Sequence, residues 1–422
     1  MGSGWKRGRR RKGGDVLPDG WHRSSLGDCT DLLTGYAFSS HRYVARTVSG
    51  VRLLRGDNIV QGSVRWVDPK YWAAPYDKQL ARYELRPGDI VIAMDRPIVG
   101  AGLKCSVIHP RDLPCLLVQR VARLRAKEDI DQSFLAQVLQ THHFIQHLQG
   151  QKTETAVPHI SPFDIRDFSF AVPPKGEQHR IGRVLACWDE AIVTTERLLA
   201  NSRVQKEALA ELLLSGKRRL VRESDWPKKH LSELVAESRL IGSGGHAARK
   251  LTVKLYGRGV IGKNDKRVGS ASTQYYRRTA RQFIYSKLDF LNGAFGLVPD
   301  DLDGFESTLD LPAFDFVGPV NPRWFLHHVS RPAFYLGHLG LANGGRKARR
   351  VNPSDLLRLT ISTPSLGEQN AIANAIDAAE TDTENFDRQL ALLRQQKQAL
   401  MAQLITGRRR LREPEPSAET AA

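Results

Sequence analysis

The residues whose types and spacing could carry chemistry are few. Gly257-Arg258-Gly259-Val260-Ile261-Gly262 has the GxGxxG spacing of a dinucleotide loop and follows a predicted strand, Leu251 to Tyr256. Such a loop works only when a helix follows at once and aims its N-terminal dipole at the pyrophosphate. Lys263-Asn264-Asp265-Lys266-Arg267 shows no helical period, so no nucleotide site is expected. His143 and His147 stand four residues apart on a predicted helix, a spacing that can clamp a metal. Zinc needs three or four ligands and no third is near, so a solvated face and no metal are expected. His142, on the apolar stripe of that helix, is expected to be half-buried. Asn321-Pro322-Arg323-Trp324 lacks the second proline and the tyrosine of the NPPY-type tetrapeptide with which amino-methyltransferases hold a base. It reads instead as a helix start, Asn capping and Pro in the first turn.

Other chemistries are missing outright. The chain has no GxxxxGK[ST] phosphate loop and no paired carboxylates with a lysine, so neither ATP-driven translocation nor nuclease activity is encoded and no catalytic residue is assigned. Cys29, Cys105, Cys115 and Cys187 form no CxxC pair, which fits buried thiols in a reducing cytoplasm. No apolar run approaches bilayer length, and the basic start is followed by Gly13-Gly14-Asp15 rather than an apolar core, so neither a membrane span nor a secretory signal is expected.

The charge is the informative quantity. A formal net charge of +18 points to a polyanion, with double-stranded DNA the first candidate. Arg277, Arg278 and Arg281, then Arg346, Lys347 and Arg349, cluster in the second half; Lys70, Lys78, Lys104 and Lys152 are spread through the first. Tyr71, Trp72, Tyr76, Tyr275 and Tyr276 are interleaved with them. Phosphates attract such charges without regard to sequence, whereas base edges need Arg, Asn or Gln held in a groove. Together with Arg55, Asn58, Thr153 and His159, the clustered Arg and Lys are the candidate DNA-contacting residues.

These residues need elements to position them. Ile181, Leu185, Trp188, Ile192, Thr195, Leu199, Ser202, Lys206, Leu209 and Leu213 follow one another at steps of four and three. That is the 3.5-residue period of a helix with one narrow seam for a partner helix. Moving 191 residues along gives Ile372, Ile376, Ala379, Thr383, Phe386, Leu390, Leu393, Lys397, Leu400 and Leu404, without a gap. Gly176-Glu177-Gln178 recurs as Gly367-Glu368-Gln369, and Gly216-Lys217-Arg218-Arg219-Leu220 as Gly407-Arg408-Arg409-Arg410-Leu411. The chain therefore reads as a duplicated unit, a globular module followed by a long helix, with little shared inside the modules. Trp226, Leu231 and Glu233 echo Trp21, Leu26 and Asp28.

The expected architecture is α+β: a basic disordered tail over 1–20, a module over 21–175, a long helix over 176–220, a second module over 221–366, a second long helix over 367–411 and a disordered tail over 412–422. The modules are expected to have mixed or antiparallel β cores, with one strand over Leu116–Leu124 and one helix over about 132–149. Helices of roughly 55 Å at 1.5 Å per residue need a partner, and the nearest is the other copy. An antiparallel coiled coil with pseudo-twofold symmetry is expected, a spacer of one to two DNA turns.

The order of short motifs resembles the specificity subunits of type I restriction-modification systems. The carriers are Leu54-Arg55-Gly56-Asp57-Asn58-Ile59 after the Trp21 opening, Pro87-Gly88-Asp89-Ile90-Val91, His159-Ile160-Ser161-Pro162, and Pro173-Pro174-Lys175-Gly176-Glu177-Gln178 with its copy Pro364-Ser365-Leu366-Gly367-Glu368-Gln369. The resemblance spans nearly all of 21–411, and the opening of the second module, Leu251 to Val260, departs from it. It implies a non-catalytic cytoplasmic subunit with two target-recognition domains reading an asymmetric, split DNA site. It further implies paired helices that dock two methyltransferase subunits, with restriction-translocase subunits joining them. S-adenosylmethionine, ATP and Mg would belong to those partners, and this chain would carry no cofactor. Two other readings stay open from sequence: a coiled-coil scaffold binding only proteins, and the recognition part of a fused type II restriction-methylation enzyme.

Overall fold

The computed structural model describes residues 17–46, 50–100, 102–150, 159–221, 226–264, 269–337 and 350–411. The chain divides into two compact units, one of residues 1–195 with 389–422 and the other of residues 196–388. The division cuts through both long helices, Lys175–Leu214 and Leu366–Ile405, so each unit holds a module and one half of each helix.

In the first unit an antiparallel four-stranded sheet runs Cys105–Val107, Ile90–Ala93, Val121–Ala126, Thr30–Thr34. A second sheet pairs Gly50–Leu54 in parallel with Cys115–Leu117 and antiparallel with Lys70–Ala73. The short ribbon His22–Ser25 with Ser169–Val172 brings the start of the module to its end. The single strand expected over Leu116–Leu124 is two strands in different sheets. The chain turns between them at Arg120, whose φ of 64° lies in the left-handed region. The single helix expected over 132–149 is also two, Gln132–Val138 and His142–Gly150. Buried Thr141 makes the break: its hydroxyl donates to Val138 O and accepts from Phe144 N. The break rotates the apolar stripe onto Phe144, Ile145 and Leu148, and leaves His142 exposed instead of half-buried.

The second unit repeats the plan with other residues. Its four-stranded antiparallel sheet runs Val235–Ser238, Ala313–Phe316, Phe283–Tyr285, Phe295–Leu297. The smaller sheet is Ile241–Gly244, Gln274–Arg277 and Glu306–Ser307, and the closing ribbon is Lys228–His230 with Thr360–Ser362. Its core is aromatic, with Phe283, Tyr285, Phe290, Phe295, Phe314, Trp324 and Phe325 packed together, whereas the first core is mostly aliphatic. Asn321 caps Pro322–Val329 through its side-chain oxygen, as the sequence predicts. Three of the four cysteines are buried; Cys187 is exposed on the first long helix, against the expectation.

Within each unit the halves of the long helices run antiparallel. In the first, numbering climbs from Glu177 to Asp189 on one helix while its partners fall from Arg410 to Lys397 on the other. In the second, Ser202 meets Thr383 and Lys206 meets Glu380. The seam positions Ile181, Leu185, Leu199, Leu213, Ile372, Ile376, Leu390 and Leu404 are buried, and Trp188, Ile192, Leu209, Phe386, Leu393 and Leu400 are half-buried. Each seam lysine finds an acid on the opposite helix: Lys397 sits 2.6 Å from Asp189 and Lys206 3.3 Å from Glu380.

The repeated Gly-Glu-Gln and basic tails are two halves of one clamp. Glu177, 3% exposed, accepts from Trp21 Nε1 at 3.2 Å and from the Arg410 guanidinium at 2.8 Å. Glu368, 0% exposed, accepts from Trp226 Nε1 at 2.8 Å and lies 3.6 Å from Arg219. Each arginine also covers the ring of its tryptophan. The neighbouring glutamines are equally matched: Gln178 accepts from Asp131 N and donates to Pro173 O, and Gln369 accepts from Asn321 N and donates to Pro364 O. Gly216 and Gly407, with φ of 74° and 72°, end the helices in the left-handed turn that delivers each arginine.

Candidate nucleic-acid interface

The candidate residues separate into exposed groups and structural ones. Asn58 is buried: its side chain accepts from Arg55 N and donates to Arg65 O, tying a turn, so it is not a base-reading group. Arg278 is also corrected. It is fully buried, donating to Ser307 Oγ, Ser238 O and Leu311 O, and that burial lowers its pKa to about 10. Arg277, the last residue of the strand Gln274–Arg277, is exposed, and Arg278 just past the strand end faces the other way. Lys78 is exposed, Lys70 pairs with Asp68 at 2.7 Å, and Arg55 pairs with Asp57 at 2.8 Å. Arg281 is exposed, 3.7 Å from Asp300, and holds a φ of 67°. Lys152, Thr153, Arg346, Lys347 and Arg349 lie outside the described residues.

One constellation in the first unit was not legible. Asp95, at the end of Ile90–Ala93, bonds His159 Nδ1 at 2.7 Å and Arg120 at 2.7 Å. Backbone bonds fasten the corner: Ala93 N to Lys104 O, Met94 N to Arg120 O and Ile160 N to Met94 O. Burial acts to raise the Asp95 pKa, but the hydrogen bonds from Arg120 and His159 outweigh it and hold the carboxylate below its usual range. Arg96, exposed beside it, has a φ of 44°. Left-handed backbone at two non-glycine residues costs on the order of 1–2 kcal/mol each. The corner thus gathers two candidates, Lys104 and His159, with Arg96 and Arg120. Arg120 spends one edge on Asp95 and keeps donors that suit a phosphate or the O6/N7 edge of guanine. The corner turn, invisible to strand periodicity, is what brings it there.

The second unit contains the one group of His, Asp and Glu that comes together with metal-like spacing among the described residues: His327, Asp377 and Glu380. His327 Nε2 bonds Asp377 at 2.6 Å, Arg323 pairs with the same carboxylate, and Lys206 pairs with Glu380. Those cations already balance the acids, and the network ties Pro322–Val329 to the second long helix. His143 and His147 line a cleft of about 470 Å³ with Gln146, Asp167, Phe168 and Ser169. His147 Nε2 is bonded to Asp164 O, which leaves the pair a poor clamp.

No described helix is long and apolar enough to cross a membrane. Residues 18–201 match the family described as type I restriction modification DNA specificity domain. The chain is 38% identical over 183 residues to the Type I restriction enzyme EcoAI specificity subunit of Escherichia coli, covering 43% of this chain and 30% of that protein. It is 28% identical over 205 residues to the Type I restriction enzyme MjaVIII specificity subunit of Methanocaldococcus jannaschii, covering 48% of each. The matched stretches thus span less than half the length of these relatives. The crystal structure of a type I restriction-modification S subunit from M. genitalium superposes with a TM-score of 0.60 at 11% identity, covering 93% of this chain and 98% of that one, and shows a shared fold.

Proposed function

From the premise that this chain carries a type I restriction-modification DNA specificity domain, we propose that it is the specificity subunit of such a complex. Each unit reads one half of a split, asymmetric duplex target, and the subunit performs no catalysis itself. The paired helices dock two methyltransferase subunits, restriction-translocase subunits join them, and S-adenosylmethionine, ATP and Mg reside on those partners in the cytoplasm. The observation that carries the reading is the duplicated clamp. One Trp–Glu–Arg device closes two modules whose cores and exposed side chains differ, as a reader of two unlike half-sites requires.

The test is modification of DNA in a methylation-free host. The chain is expressed with its methyltransferase subunits, and modified positions are mapped by sequencing. A split motif is expected, and exchanging residues 21–170 for those of a relative should change one half alone. No modification, or a change in both halves, would overturn the proposal. The chain without partners should methylate nothing.

A further inference from the structure

The GxGxxG-like segment is the turn of a β-hairpin, Leu251–Val253 with Val260–Gly262, and no helix follows its first glycines. The predicted strand to Tyr256 stops at Val253 because the chain reverses there. The turn is held from below: Tyr256 N donates to Asn292 O at 2.9 Å, Gly257 N to Gly293 O at 2.8 Å, and Lys254 N to Gly259 O at 2.8 Å. Gly257 and Gly259 take φ of 67° and 81°, which glycine adopts freely. Tyr256 takes 58°, where a bulky residue is strained, typically by about 1–3 kcal/mol.

That strain serves no packing. Tyr256 is 70% exposed, Leu255 beside it is 38% exposed, and neither belongs to a hydrophobic core. Lys254 and Arg258 flank the pair and are exposed as well. A fixed turn therefore displays an apolar and aromatic tip between two cations. Apolar wedges between base steps, with cations on adjacent phosphates, are a recurrent way of gripping duplex DNA.

We propose that Leu255 and Tyr256 form a wedge that enters a groove of the second half-site and unstacks one base step, with Lys254 and Arg258 on the flanking phosphates. The inference rests on the proposed function and adds a residue-level contact to it. It also gives a use to a segment where the second module departs from the first.

The experiment uses the full chain and a randomised duplex library. Duplexes retained by the wild-type chain are sequenced, and the enriched duplex is then made with 2-aminopurine at each half-site position in turn. Wild type should raise 2-aminopurine fluorescence at one step. Tyr256→Asn should abolish that rise and weaken binding about ten-fold or more, in keeping with the weight of one aromatic stack. Its thermal midpoint should stay the same or rise, because asparagine tolerates this backbone. Tyr256→Trp should retain the fluorescence signal. Unchanged binding and fluorescence in Tyr256→Asn would overturn the wedge while leaving the proposed function intact. A parallel fall in thermal midpoint and affinity would also overturn it, since the tyrosine would then be structural. A wild-type chain that enriches no sequence would overturn both.

Discussion

Arg277 and Arg278 are adjacent and identical in type, yet one is exposed and the other sealed among Ser238, Ser307 and Leu311. Extended backbone at and just past the end of Gln274–Arg277 turns neighbouring side chains opposite ways, but does not say which face is the core. Arg278→Met should destabilise the full chain by about 2–4 kcal/mol in urea unfolding, because three acceptors lose a donor, while Arg277→Met should stay within about 0.5 kcal/mol. His328 makes a second residue-scale case. Burial beneath Trp324 and Phe334, with Arg331 close by, pushes its pKa down to about 3. Unfolded, it takes up a proton near pH 6.5, so its contribution is complete above that value and is lost as pH falls towards 3. One proton gives a loss on the order of 2 kcal/mol between pH 7 and 5. Unfolding curves at the two pH values should show that loss shrink in His328→Gln.

At the scale of elements, the long helices were legible because a narrow seam repeats without interruption, and the matched ends announced a shared device. What the device does was not legible, since Trp21, Glu177 and Arg410 lie far apart in the chain and only folding brings them together. The misread elements share one cause. Over 116–124 and 132–149 apolar residues recur on both sides of a break, at Arg120 in one case and Thr141 in the other, and their recurrence along the chain does not mark where the backbone turns. The clamp itself is testable. Glu177→Gln removes the charge that the solvent-accessible Arg410 guanidinium meets and should cost about 1–2 kcal/mol. In a double-mutant cycle with Arg410→Met, the coupling should fall between about 1 and 3 kcal/mol in thermal or denaturant unfolding. Additive effects would mean that the arginine and glutamate act independently, contrary to their shared hydrogen bonds.

At the scale of the whole molecule, the proposed reading makes the long helices a spacer, and the pairing within each unit dictates how to lengthen it. A heptad added to one helix alone would slide Lys397 off Asp189 or Lys206 off Glu380, and so would damage a unit rather than alter a gap. Seven residues added to both helices, between Thr195 and Glu196 and between Arg388 and Gln389, leave every seam contact inside each unit in register. Each insertion keeps the 3.5-residue phase and adds about 10 Å of helix. In cells carrying the methyltransferase subunits, methylome sequencing should return the same two half-sites separated by more bases, about three if the added length transfers fully to the duplex. An unchanged spacing would remove the helices from the role of spacer. Altered half-sites would show that recognition is not confined to the separate units.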